Sequence, residues 1–196
     1  GNNANSDYND GYRDDVPASF TIEVEGGLQR EFRYGSRRTN PAYEAQPDPE
    51  QYVTPSGGVH PGNEIRNLNR VHPGKPDGTL TEQIAYAIRR LLIEENVDVA
   101  FDLHEAGVTS RLANTLVAHP KGMDAAVMAI LDLSAQGINI NLEPSREEYR
   151  GLSHREWGDH TQALSFLTET ANPGQSPDIE NPDVVTDPDN PLHDRV

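Results

Sequence analysis

Regular alternation of apolar and polar positions begins at Phe20-Thr21-Ile22-Glu23-Val24, which predicts a strand. Gly26-Gly27 then offers a turn, and Leu28 to Tyr34 alternates again, so the two segments read as a hairpin. Residues 1–19 ahead of them are rich in Asn, Asp, Gly and Ser and read as loop. Between Asn40 and Gly62 there are five prolines and little period, which predicts a long loop of the kind that is usually functional or mobile.

The clearest element starts at Thr79. Thr79-x-x-Glu82 has the form of a capping box, and Leu80, Ile84, Ala87, Ile88, Leu91 and Leu92 recur at helical spacing to about Glu95. Val97 to Leu103 is apolar and β-branched enough for a buried strand, with His104 at its carboxyl end. The alternation continues with a strand at Asn114–Ala118, a helix at Met123–Gln136 stopped by Gly137, and a strand at Ile138–Leu142. After a polar loop, Ala163–Thr168 gives a last strand ending at Glu169. Strands alternating with helices predict an α/β fold, a mixed and mostly parallel β-sheet with helices on both faces. From Asn172 the chain is rich in Pro and Asp and reads as extended or disordered, so the expected division is one domain over 1–175 and a tail over 176–196.

Composition narrows the function classes. Only 34% of the 196 residues are hydrophobic, with 16 Gly and 15 Pro, so loops are abundant. A net charge of −16 repels phosphate backbones and anionic lipid surfaces, which disfavours nucleic-acid binding. Among the 16 basic residues only Lys75 and Lys121 are lysines, a bias that a high-salt habitat or a GC-rich genome would each explain. The absence of cysteine excludes disulfides, thiolate metal sites and cysteine nucleophiles. No apolar run approaches the roughly 18 residues of a membrane span, and no basic, apolar leader is evident. The chain starts at Gly1 rather than Met, so it is expected to be processed or cut from something longer. Compartment and oligomeric state are left open.

In α/β sheets ligands gather at the carboxyl ends of strands, where this sequence places Asp102-Leu103-His104-Glu105 and Thr168-Glu169-Thr170. A neutral imidazole can ligate Zn²⁺, with Asp102 a candidate to fix its tautomer, and a nearby Glu can take a proton from water. Asn69-Arg70 adds a group able to grip a carboxylate through paired hydrogen bonds.

The run Asn67-Leu68-Asn69-Arg70-Val71-His72-Pro73-Gly74, then the Gly78-Thr79-Leu80-Thr81-Glu82 helix start, then Asp102-Leu103-His104-Glu105, resembles the zinc carboxypeptidase superfamily in its succinylglutamate desuccinylase/aspartoacylase-like branch. Phe32 to Pro41, Gly151 to Asp159 and Leu167 to Pro173 match in the same order. The resemblance implies a metallohydrolase that cleaves an amide next to a free carboxylate, as a carboxypeptidase or an N-acyl amino acid deacylase does, on a small-molecule or peptide substrate. It implies Zn²⁺ as cofactor, His104 as a metal ligand, Glu169 as general base, and Asn69 and Arg70 as carboxylate binders. An arginine that polarises the scissile carbonyl falls on Arg33, Arg37 or Arg38, with Arg33 favoured by the Arg-Tyr pair. His154 and Trp157 sit in a loop able to close over substrate, although Trp157 as core anchor and His154 as loop-stabilising hydrogen bonder are equally compatible readings.

The sequence departs from the family at one place. The family's first two zinc ligands come from His-x-x-Glu, and the residues three after the seven histidines are Asn63, Lys75, Gly107, Gly122, Trp157, Ala163 and Val196. His60 and Glu64 imitate the motif with one residue too many. The expectation is therefore a carboxyl-terminal part of a longer enzyme whose motif lies upstream. The alternatives are a non-catalytic carboxylate-binding module, an inactive fragment, or a metal site improvised from His60, Glu64 and His104. His72, His119, His160 and His193 are expected to be structural or exposed.

Overall fold

The structure, a computed structural model, describes residues 19–24, 27–33 and 49–173. The Arg37 and Arg38 candidates, His193 and the expected tail over 176–196 lie outside them. Contact density divides the chain into two compact units, one up to Arg90 with Arg150–Leu152, the other from Leu91 to Tyr149 and from Ser153 onward.

In the first unit β1 (Ser19–Val24) and β2 (Leu28–Arg33) form the expected antiparallel hairpin, with Phe20 opposite Phe32 and Val24 opposite Leu28. The segment expected to be a loop contains a second hairpin, β3 (Gln51–Val53) with β4 (Val59–Pro61). Each strand is too short to show a period of two. The turn instead holds the pair: Gly58 N donates to Thr54 Oγ1 at 2.8 Å, Thr54 N to Gly58 O at 2.8 Å, and Gly57 takes φ 89°. Tyr52 from β3 joins Ile65, Leu68, Val71 and Ala85 in this unit's core.

Helix α1 (Leu80–Glu94) begins in this unit as the sequence indicates. Thr79 and Glu82 close the capping box from both sides, Glu82 N donating to Thr79 Oγ1 at 3.3 Å and Thr79 N to Glu82 Oε2 at 2.9 Å. Asn96, at φ 48°, ends the helix in the second unit, where the Gln162 amide donates to the carbonyls of Leu92 and Val97.

The second unit is built on a mixed four-stranded sheet in the order β5-β8-β6-β7, comprising β5 (Val99–Ala106), β6 (Thr115–Ala118), β7 (Asn141–Pro144) and β8 (Leu164–Ala171). β5 with β8 and β6 with β7 run parallel, and β6 with β8 antiparallel. Helix α2 (Met123–Ala135) packs its Met123, Ala126 and Ile130 on one face with Leu116, Ala118, Phe166 and Leu142. The strand expected to be buried, β5, lies at the sheet edge among the described strands. Its Val99, Phe101 and Leu103 face outward at 45–55% exposure, while Ala100 and Asp102 are buried on the opposite side.

The polar loop expected before Glu169 contains helix α3 (Ser153–His160). It lacks an apolar stripe, which is why periodicity misses it; Ser153 to Gly158 are all buried, five of the six with polar or ionisable groups or no side chain at all. Strand ends also shift. β5 runs through His104 to Ala106, β7 starts at Asn141 rather than Ile138, and β8 passes Glu169 to Ala171.

Candidate active site

Register brings the two sequence candidates together. His104 of β5 is the parallel partner of Glu169 on β8, and Thr115 of β6 pairs Glu169 from its other side. Partners in register share a face of the sheet, with strands about 4.8 Å apart. Positions 104 and 169 are therefore neighbours on one face, the face that also carries Asp102, Ser165 and Leu167.

Behind His104 stands a buried carboxylate. Asp102 Oδ2 lies 3.0 Å from His104 Nε2 and accepts a 2.5 Å hydrogen bond from Ser153 Oγ at the start of α3. The oxygen sits off the axis of the ring N–H, so the imidazole contact is an electrostatic pair rather than an aligned hydrogen bond. Burial alone would raise the Asp102 pKa, but the contact with His104 and its charge hold the carboxyl below the usual carboxylate range. Beyond Glu169 the strand end is pinned: Asn172 Nδ2 donates to Glu105 Oε2 at 2.6 Å and Asn172 N to Ala106 O at 2.8 Å.

His154 is nearly inaccessible on α3, with Nδ1 2.8 Å from Ser145 Oγ and Tyr149 edge-on to its ring. Burial pulls its pKa down to about 3, and the Arg155 charge acts in the same direction against the opposing pull of Asp102. Trp157 is 6% exposed, the packing expected of a core anchor.

A second polar cluster, which sequence reading left without partners, locks α3. Arg155 grips Asp159 with Nε to Oδ2 at 2.9 Å and Nη2 to Oδ1 at 2.7 Å, and Nη1 reaches Ser145 O at 3.0 Å. His119 Nδ1 accepts from Lys121 N at 3.2 Å, which leaves Nε2 to donate to Asp159 Oδ1 at 3.0 Å. Burial lowers the His119 pKa against the raising effect of Asp159. Lys121 Nζ caps α3 on the carbonyls of Gly158 and Thr161. His160 stands 3.1 Å from the fully buried Glu156. The i,i+4 spacings 155–159 and 156–160 were the signals available for these pairs.

In the first unit Asn69 and Arg70 form one short 3₁₀ turn (Leu68–Arg70), organised by Asn67. Asn67 Oδ1 accepts from Asn69 N at 3.1 Å while its amide donates to Glu64 Oε2 at 2.7 Å. Arg70 Nη1 donates to Asn69 O at 2.6 Å. His60 Nε2 lies 2.9 Å from Arg150 O, so both members of the motif imitation are engaged in hydrogen bonds. Arg33 is the last residue of β2, opposite Ser19. His72 is 1% exposed.

The donor set can be tested against zinc, which takes at least three protein ligands. Among the described residues no three His, Asp or Glu side chains gather around one point. They offer one imidazole backed by a carboxylate and do not by themselves fit the ion. No described helix is long and apolar enough to cross a membrane.

Residues 50–176 match the succinylglutamate desuccinylase/aspartoacylase catalytic domain. The chain is similar to an N-alpha-acetyl-L-2,4-diaminobutyric acid deacetylase of Halomonas elongata, 51% identical over 43 residues, which are 22% of this chain and 12% of that relative. No solved structure matches.

Proposed function

Because this chain belongs to the succinylglutamate desuccinylase/aspartoacylase catalytic-domain family, we propose that it works in a hydrolase that removes an acyl group from an amino-acid amine, cleaving an amide near a free carboxylate. The observation that carries the reading is the register pairing of His104 with Glu169, beside the Asp102 and Ser153 pair. The deacetylase relative supports an N-acyl amino acid over a long peptide as substrate class.

Glu169 takes a proton from the attacking water as its oxygen adds to the amide carbonyl carbon. The same carboxyl returns that proton to the nitrogen as the C–N bond breaks, leaving a free amine and a carboxylate. His104, oriented by Asp102, would serve as one ligand of the zinc ion that the family implies. Asn69 and Arg70 hold the substrate carboxylate and Arg33 steadies the oxyanion; family motifs rather than placement support these roles.

The test is Glu169→Gln in the full-length protein. Loss of general-base catalysis lowers kcat by about 10²–10⁴-fold with little change in KM. A variant that turns over at the wild-type rate removes Glu169 from the chemistry.

A further inference from the structure

The geometry points to Gly151 as a positioning residue for Arg70, because the segment Arg150–Leu152 straps down the backbone from which the Arg70 side chain starts. This rests on reading Asn69 and Arg70 as the pair that binds the substrate carboxylate. The three strap residues cluster with the first unit, although the chain on either side of them belongs to the second. His72 N donates to Gly151 O at 3.1 Å. His60 Nε2 stands 2.9 Å from Arg150 O, an acceptor, so this ring nitrogen donates and ties the strap from its other end.

Gly151 is buried and takes φ 88°. A Cβ added there would collide with Arg70 O and crowd both His60 Nε2 and Thr54 Cγ2. The Arg70 carbonyl has little room to step aside. Arg70 N donates to Asn67 O at 2.9 Å, and the turn is flanked by Leu68 and Val71, both buried in the core of this unit. A guanidinium grips a carboxylate through two parallel hydrogen bonds, so a small shift of the backbone that carries it degrades the fit. Glycine at 151 lets the strap close on Arg70 without displacing it.

The experiment compares N-acetylglycine with N-acetylglycinamide, which lacks the carboxylate, through their dissociation constants from the full-length protein in EDTA, read by NMR titration. Wild type is expected to prefer the carboxylate. Gly151→Ala lowers that preference about tenfold, the worth of one charge-assisted hydrogen bond. Gly137→Ala is the control: it also sits at positive φ, 85°, but nothing lies within 4 Å of its added Cβ, so the preference stays at the wild-type value. A Gly151→Ala chain within about twofold of wild type, or a Gly137→Ala chain that falls as far, overturns the role. If Gly151→Ala does not fold, His60 decides. His60→Leu lowers the preference about threefold, and His60→Gln, whose amide can donate to the same carbonyl, keeps it; an unchanged Leu chain overturns the role. A wild type without preference defeats the Asn69 and Arg70 reading and this proposal with it, whereas a wild-type preference that survives the substitutions defeats the proposal alone.

Discussion

Replacing Glu82 by Gln keeps the side chain's shape and removes its charge, at a place where three donors converge. Oε1 accepts from Tyr52 Oη at 2.9 Å and faces Lys75 Nζ at 2.9 Å, while Oε2 accepts from Thr79 N at 2.9 Å. Glu82 is 3% exposed, so no water replaces a lost partner. An amide has one acceptor oxygen, so at least one donor is left facing an NH₂ group. Hydrogen bonds to a charged group are worth about 1.5–3 kcal/mol each. With partial rearrangement the net cost is about 3 kcal/mol, and for a chain of this size the melting temperature drops by about 6–12 °C. The loss should depend on pH with a fixed sign. Burial alone would raise the Glu82 pKa, but Lys75, Thr79 and Tyr52 hold it below the ordinary value. A depressed carboxylate stabilises the fold above its unfolded pKa of about 4.3 and stops doing so as pH falls through the folded value. Thermal unfolding of both chains from pH 7 down to 3 is the assay, and the gap between them narrows below about pH 4.3. A gap under about 1 kcal/mol at pH 7, or one that widens in acid, refutes the assignment of Glu82 as the charged centre of this unit.

Two further outcomes follow from the second unit. His154 is buried neutral with a pKa near 3, so the unfolded chain binds the extra proton below about pH 6.5, and stability falls as pH drops through that range. Wild type should lose about 2 kcal/mol more than His154→Gln between pH 6.5 and 5 in urea titrations, and parallel curves contradict it. Gly158→Ala, which helix propensity alone would favour by about 1 kcal/mol, should instead destabilise by about 2 kcal/mol. The added Cβ would clash with the His119 ring, and that ring is held by Asp159 and Lys121. A more stable Ala variant in the same titration would show the ring is free to move.

What could be read from sequence was local. The capping box at Thr79 depends on residues within one turn, and the structure reproduces it. His104 and Glu169 were legible as strand-end chemistry, although both strands continue past them. Ser153 was not legible, because its importance comes from a partner 51 positions away. α3 was missed for a related reason: polar pairs hold it, and hydrophobic periodicity carries no trace of them. Asn67 stands inside the matching motif, but its amide bridges Glu64 and Asn69 only once the turn is formed. β5 looked buried because Val97, Val99, Phe101 and Leu103 make one face of the expected strand wholly apolar, yet it lies at the sheet edge among the described strands, with Val99, Phe101 and Leu103 exposed.

Anomalous diffraction at the zinc edge from crystals of the full-length protein tests the central assignment most directly. The account predicts one metal at about 2.0–2.1 Å from His104 Nδ1, with the Glu169 carboxylate beside it. Zinc bound away from His104, for instance on His60 and Glu64, or a hydrolytically active crystal form with no zinc at all, would contradict it.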